Sequence, residues 1–268
     1  MLFDSSLLQS VLMIAEQAGH HLNRFYNKNL TSYIKADNTP VTEADLFVSQ
    51  FLMEKLRALT PAYPVLSEEY CKIPFHERQQ WQTYWLVDPL DGTQQFINRT
   101  GHFSVLIALV HHHRPVLGVI HCPQTKQTYY AAQGLGAYKK TTQKTTALNR
   151  QPVNLSQPIR IVVGSHSAKK KVRSILQPNF NYHFEIIGSS GIKSVKVAEG
   201  AADCYIRLGE TGEWDTAAAE IILAEMGGKI FDRHFQPLTY NQRESLVNPD
   251  FVMVADAQLN WHNIFQFN

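Results

Sequence analysis

Apolar residues recur at helical spacing near the start of the chain. Leu7, Val11, Ile14, Ala15, Ala18 and Leu22 share one stripe, and Asp4 ahead of them can cap the helix. Thr42-Glu43-Ala44-Asp45 has the capping-box pattern and predicts a second helix with Phe47, Val48, Phe51 and Leu52 inward. Between the two, Lys35-Ala36-Asp37-Asn38-Thr39-Pro40 is a turn-rich loop. The period then shortens. Pro64-Val65-Leu66 and Trp85-Leu86-Val87 are short apolar runs, each ending abruptly in carboxylates. Runs at 103–110, 115–121, 128–132 and 137–138 predict an antiparallel meander. Past a polar segment at 139–158, strands near 161–163, 184–187, 204–206 and 251–255 alternate with helices near 168–176, 192–199 and 216–226. That alternation predicts a more parallel second half. The expected architecture is layered α/β with a mixed sheet in each half: an α+β part over 1–155 and an α/β part over 156–268.

Charge narrows the functional classes. The 268 residues carry 25 Lys and Arg against 23 Asp and Glu, a balance of +2, which excludes nucleic-acid binding through bulk charge. With 44% apolar residues and a mean hydropathy of −0.24, the chain can bury a large core and is not a disordered one. Cys71, Cys122 and Cys204 are odd in number and widely spaced, so neither a disulfide framework nor a thiolate zinc site is expected. No Lys or Arg precedes Arg24 and no stretch is apolar enough for a bilayer, so a cytoplasmic protein without a secretory signal is expected.

Asp88-Pro89-Leu90-Asp91-Gly92-Thr93 is the most informative stretch. A buried strand delivers Asp88 at its carboxyl end, where ligand sites of α/β sheets lie. A turn at Pro89 would fold Asp91 and the Leu90 carbonyl back to the same spot, giving three hard oxygen donors of the kind Mg²⁺ prefers. Gly92 and Thr93 would open a helix whose N–H groups can receive phosphate. The alternative is a plain turn with Asp91 as a helix cap. Ser67-Glu68-Glu69 also follows an apolar run, and Glu68 and Glu69 read either as solvated loop residues or as cation ligands. Asp215 in Glu213-Trp214-Asp215-Thr216, like Asp45, can be an N-cap or a site residue. Taken together, these carboxylates suggest a multi-metal site, since hard cations need several such ligands and no thiolate or HExxH set competes.

Other phosphate chemistries drop out. There is no GxxxxGK[ST], Asp88 and Asp91 are not spaced as DxDx[TV], and Cys71 and Arg78 are one residue too far apart for a cysteine phosphatase loop. Metal-activated water remains. His111-His112-His113 reads as a hairpin loop, Lys169-Lys170-Lys171 as a solvated helix face and Gly134-Leu135-Gly136 as a tight turn. Gly164-Ser165-His166-Ser167 lacks the GxSxG of a serine hydrolase.

At Glu68-Glu69, Asp88 to Thr93 and Trp214-Asp215-Thr216-Ala217-Ala218, the chain resembles the inositol monophosphatase superfamily of Mg²⁺-dependent, Li⁺-sensitive phosphatases. Within it the likeness runs to the bacterial 3'(2'),5'-bisphosphate nucleotidases. It continues through Lys35 to Thr42, Gly188-Ser189-Ser190, Val197-Ala198-Glu199-Gly200 and Arg243-Glu244-Ser245 with Asn248-Pro249. The resemblance implies an αβαβα sandwich with two or three Mg²⁺ held by Glu68, Asp88, the Leu90 carbonyl, Asp91 and Asp215, inhibited by Li⁺ and Ca²⁺. It implies that Asp45 and Thr93 orient the attacking water and that Glu68 helps activate it. The implied reaction is hydrolysis of adenosine 3',5'-bisphosphate to AMP in sulfur metabolism. The substrate would also touch Gly92 and Thr93, and we expect Ser190, Lys193 and Arg207 to bind its non-scissile part.

Two positions depart from the nucleotidase pattern: Gln94-Gln95 stands where Lys-Glu is usual, and the 190–193 segment is one residue longer. An inositol monophosphatase, a fructose 1,6-bisphosphatase or a non-catalytic binding protein of the same fold are the competing readings. A monomer or homodimer is expected, with no nucleic-acid partner and with peripheral association at the cytoplasmic face of the inner membrane left open.

Overall fold

The computed structural model of the protein describes residues 5–28, 32–34, 40–150 and 152–267. Asp4 and the loop at 35–39, singled out above, lie outside them. The chain begins with α1 (Ser5–Tyr26), a short ladder of β1 (Ser32–Ile34) with β2 (Pro40–Thr42), and α2 (Glu43–Leu59). A sheet follows, built from β3 (Val65–Ser67), β4 (Thr83–Asp91), β5 (Ser104–His111), β6 (Arg114–Cys122), β7 (Gln127–Ala132), β8 (Gly136–Lys140) and β9 (Thr145–Leu148). Short helices α3 (Phe75–Arg78) and α4 (Thr93–Ile97) interrupt it. The second sheet contains β10 (Ile159–Val163), β11 (Tyr182–Ile186), β12 (Cys204–Arg207), β13 (Lys229–Asp232) and β14 (Phe251–Val254), with α5 (His166–Arg173), α6 (Ser190–Ala198) and α7 (Ala217–Met226) between strands.

Both sheets are mixed. In the seven-stranded sheet the strands follow one another in order, parallel only at β3–β4. In the five-stranded sheet, ordered β11-β10-β12-β14-β13, the first three strands are parallel and β14 runs against its neighbours. Three buried clusters define five layers. One joins α1 and α2 to the outer face of the first sheet through Val11, Leu22, Val48, Leu52, Ile107 and Val119. The central cluster packs α6 and α7 between the two sheets, where Leu106, Ile120, Ile222, Tyr205 and Met253 meet. The third covers the far face of the second sheet with Val172 of α5 and with Trp261 and Phe265 near the end of the chain. This is the αβαβα sandwich. Among the described residues, no helix is long and apolar enough to cross a membrane.

Some local expectations change. Phe47 is exposed and Phe51 half-buried, while Val48 and Leu52 face the core, so the inward stripe of α2 is narrower than its apolar content. Phe47 instead packs its ring on His21 and Phe25 at the surface. The polar segment after residue 139 contains a strand, β9, whose side chains are half-buried or exposed and so carry no apolar signal. β13 was also not foreseen: only Ile230 and Phe231 of its four residues are buried. His112 and His113 turn the β5–β6 hairpin at positive φ.

Gly118 lets α7 approach the first sheet. A Cβ there would stand 2.5 Å from both the Ala218 carbonyl oxygen and Ile221 Cγ2. Backbone on one side leaves little room for adjustment, so Gly118→Ala should cost about 2 kcal/mol by overpacking. The urea midpoint of unfolding is the measurement, and an unchanged midpoint would mean that the layer spacing yields freely.

Candidate active site

The site forms where the ends of β3 and β4 meet α6 and the start of α7. β3 and β4 are parallel with Ser67 beside Val87, so Glu68 leaves its strand next to Asp88. Ser49 Oγ and Ser67 Oγ lie 2.6 Å apart and tie that strand end to α2. β4 does not turn at Pro89. It continues to Asp91 through a bulge: Asp88 lies opposite Leu106 and Asp91 opposite Ser104, so three steps on β4 match two on β5. Residues three apart on a regular strand face opposite sides, and the extra residue returns Asp91 to the side of Asp88. Pro89, with no N–H for a ladder, sits in that bulge. Gly92 then turns at φ +93°, where a Cβ would come within 2.7 Å of the His102 carbonyl oxygen. It, and not Asp91, is the N-cap of α4.

Asp91 caps a different helix. Its Oδ1 accepts from the Ser190 N–H at 2.8 Å, and its Oδ2 accepts from the Gly191 N–H at 2.8 Å and Ser104 Oγ at 2.7 Å. Ser189 Oγ donates to the same oxygen. A carboxylate at this end of α6 also meets the positive pole of the helix. Asp215 closes a 3-10 turn over Glu213–Asp215, its Oδ2 accepting from the Gly212 N–H at 2.8 Å. Thr216, not Asp215, caps α7. One oxygen each from Asp88, Asp91 and Asp215 lies within 4.8 Å of the others.

Burial and neighbouring charge both act on Asp88 and Asp215. Asp88 is pushed well above the usual carboxylate range by burial, then by the charges of Glu68, Asp91 and Asp215. Asp215 is pushed up to about 8 by burial, with Asp91 and Glu68 adding to it. Glu68 thus stands close enough to act on the group from its edge. Buried like charges of this kind fit a hard divalent cation, which would replace their repulsion with attraction.

Asp45 lies at the rim. Its Oδ2 accepts from the Thr42 N–H at 2.7 Å and from Thr42 Oγ1 at 2.6 Å, closing the capping box of α2. Its Oδ1 takes Thr93 Oγ1 at 2.8 Å. The capping and site readings of Asp45 therefore describe one side chain serving both. Burial raises its pKa, and the bonds from Thr42 and Thr93 only partly offset that. Thr93 Oγ1 is also 3.2 Å from the Leu90 carbonyl.

Ser190 and Lys193 are buried inside the framework. Ser190 Oγ lies 3.4 Å from both Tyr205 OH and the Asp215 carbonyl. Lys193 Nζ donates to the Ser189 carbonyl at 2.6 Å and sits 4.8 Å from the Tyr205 ring centre. Burial lowers its pKa to about 8, while Asp91 and Asp215 favour its charge. Arg207 is half-buried at the end of β12, its Nη2 donating to the Glu210 carbonyl at 2.8 Å and its Nε buried without a hydrogen-bond partner. Gln94 is exposed and bonds Asn98 Oδ1 at 3.1 Å.

Several supporting residues were given no role by the sequence reading. Ser104 is a lone hydroxyl in an apolar strand, and Ser189 holds a positive φ of 64° before α6. Glu213, fully buried and pushed up to about 7 by burial, accepts from the Asn241 N–H at 2.7 Å. Asn241 Oδ1 in turn receives Arg78 Nη1 at 2.6 Å. Polar residues in apolar surroundings were the available signal for Ser104; the Arg78–Asn241–Glu213 chain joins positions too distant in sequence to have one.

Residues 5–262 match the inositol monophosphatase family, and the chain belongs to that family. It is 62% identical over 262 residues to the 3'(2'),5'-bisphosphate nucleotidase CysQ of Aggregatibacter actinomycetemcomitans, covering 98% of this chain and 97% of that one. Against the protein of the same name from Escherichia coli K12 the identity is 41%, covering 91% and 98%. The crystal structure of CysQ from Bacteroides thetaiotaomicron superposes with a TM-score of 0.80 at 33% identity, covering 96% of this chain and all 100% of that one. An inositol monophosphatase of Thermotoga maritima, 22% identical and covering 92% and 91%, shares the fold with a TM-score of 0.79.

Two outcomes follow. Asp91→Asn should abolish turnover, yet the fold does not stand apart from that change: an amide would set its NH₂ against donors, costing about 2 kcal/mol in urea unfolding. Asp215→Asn tests the repulsion. A carboxyl whose folded pKa is raised gives stability present below pH ~4 that is lost as pH climbs through about 8. In chelator the variant should therefore melt above the native protein, by a margin that widens over that window. Saturating Mg²⁺ should reverse the order, and a margin flat with pH would remove Asp215 from the cluster.

Proposed function

We propose that this protein hydrolyses the 3'-phosphate of adenosine 3',5'-bisphosphate to give AMP and phosphate, using Mg²⁺, in the sulfur metabolism of the cytoplasm. The observation that carries the reading is the group Asp88, Asp91 and Asp215, within 4.8 Å of one another, with the Asp45–Thr93 pair at its rim. Asp88, Asp91, Asp215, Glu68 and the Leu90 carbonyl would hold two or three Mg²⁺. Bound there, Mg²⁺ supplies Lewis acidity toward a phosphoryl oxygen and charge compensation at the leaving oxygen. Phosphoryl transfer otherwise needs mostly positioning.

The chain's own groups provide that positioning. Thr93 Oγ1 spends its proton on Asp45, so its lone pairs face outward and can orient a water in line with the phosphorus. Asp45 holds that hydroxyl in place, and its raised pKa makes it the better acceptor for the proton that the water gives up. Glu68, whose charge also raises the pKa of Asp45, assists beside it. The N–H groups of Gly92 and Thr93 lie beside the scissile phosphate in this reading. Arg207, with its unused Nε, faces the second phosphate. Ser190 and Lys193 contribute by setting the segment that Asp91 caps. The likeness to nucleotidases named CysQ favours the nucleotide over a sugar ester.

Phosphate release from adenosine 3',5'-bisphosphate, inositol 1-phosphate and fructose 1,6-bisphosphate is the decisive comparison, each with Mg²⁺ and with chelator. Selective, chelator-sensitive cleavage of the nucleotide, inhibited by Li⁺ and Ca²⁺, is expected. Preference for either sugar ester would overturn the substrate, and turnover in chelator would overturn the metal.

A further inference from the structure

A cavity of about 380 Å³ opens between α1, the turn joining β6 to β7, and the end of β8. It lies across the first sheet from the carboxylates. His121 pairs with Val105 on β5, and Val105 packs on the α1 side, whereas the neighbouring Ser104 and Leu106 face Gly191 of α6. His121 lines the cavity although its side chain is almost wholly buried. Its Nδ1 lies 2.8 Å from Thr128 Oγ1, and its Nε2 makes no hydrogen bond among the described residues. When the threonine hydroxyl donates to Nδ1, Nε2 carries the proton and offers it to the cavity.

The neighbouring helix makes room for that ring edge. A Cβ on Gly19 would come within 2.4 Å of His121 Nε2 and Cδ2. A glycine in the middle of a helix costs about 1 kcal/mol relative to alanine, so seating the His121 ring against α1 comes at a cost in helix stability.

Lys126, Lys140 and His20 also line the cavity, with Thr128, whose hydroxyl is used on His121 Nδ1, and Thr141, whose hydroxyl donates to the Lys144 carbonyl at 3.0 Å. Glu16 is the one carboxylate in the lining, and Lys140 Nζ already holds it at 2.6 Å. Lys126, at φ 54° in the β6–β7 turn, has no carboxylate partner among the described residues. Hydrogen-bond donors with one unmatched positive charge call for a compact acceptor-rich anion, and a tetrahedral oxyanion offers the most acceptors for its size. Among the described residues no Phe, Tyr or Trp lines the cavity.

We propose that this cavity is a second binding site, for a small phosphate- or sulfate-bearing anion, with His121 Nε2 and Lys126 as its main donors. It is separate from the carboxylate cluster and independent of which ester that cluster cleaves.

The test follows the His121 imidazole by NMR in the full-length, Mg²⁺-supplied protein, its signal assigned with His121→Asn. Inorganic phosphate, sulfate and chloride are titrated at matched ionic strength. The expected result is a saturable His121 shift with phosphate or sulfate, absent with chloride. Lys126→Gln should weaken that binding about fivefold while leaving turnover unchanged. Stronger binding of phosphate would identify a phosphate site, and stronger binding of sulfate a sulfate site. No saturable shift up to ~20 mM, or an equal shift with chloride, would overturn the proposal. A phosphate shift untouched by Lys126→Gln would trace to the carboxylate centre and would overturn it as well.

Discussion

Carboxylates that repel one another can stay together only if the surrounding chain holds each one separately, and the site is organised around that constraint. Burial first, and then the charges of their neighbours, push Asp88 and Asp215 above the usual carboxylate range. Each is fixed by backbone of its own. The Leu90 N–H holds Asp88 at 3.0 Å, the Gly212 N–H holds Asp215, and two N–H groups of α6 hold Asp91. Backbone donors suit this task because they cannot swing away to relieve the repulsion. The strain of gathering the charges is thus carried by secondary structure, while the benefit appears only when a cation shares them.

The same bonds join the halves of the molecule. Asp91 belongs to the first sheet, but its donors are Ser189, Ser190 and Gly191 in the second half, together with Ser104 next to it. Gly191 can sit so close because it has no side chain: a Cβ would meet Ser104 Oγ at 2.3 Å. On the other flank Arg78, from the first half, reaches Asn241 and through it Glu213, two residues before Asp215. The site is therefore a seam, and a loosening of either half would be felt there first.

The candidate site was legible in sequence because several carboxylates follow apolar runs, each ambiguous alone and pointing to a site only together. The layered α/β order with a mixed sheet in each half was read from periodicity, the capping box from the Thr42–Asp45 pattern, and the five layers came with the family resemblance. What sequence hid was phase. On a regular strand Asp88 and Asp91 would need a turn to face one another, since residues three apart diverge, yet one bulged residue achieves it without leaving the strand. The capping reading likewise named the wrong helix for Asp91, because the α6 N-terminus it serves is about a hundred residues away in sequence. β9 was missed because its strand pairs at an edge, where hydrogen bonding to β8 suffices and no apolar alternation is required.

The departure at Gln94 can be weighed against this geometry. Its side chain runs along the exposed side of α4 to Asn98 and makes no bond to Asp88, Asp91 or Asp215. Exchanging Lys for Gln there alters charge outside the cluster and leaves the means of gathering the carboxylates intact. Gln95 is different, since it fills the space beside Gly188, where a Cβ would meet its Cγ at 2.2 Å. Gly188 leads directly into the Ser189–Ser190 turn that grips Asp91. Of the two substitutions in this pair, the second is the one physically connected to the site, through packing and not through charge.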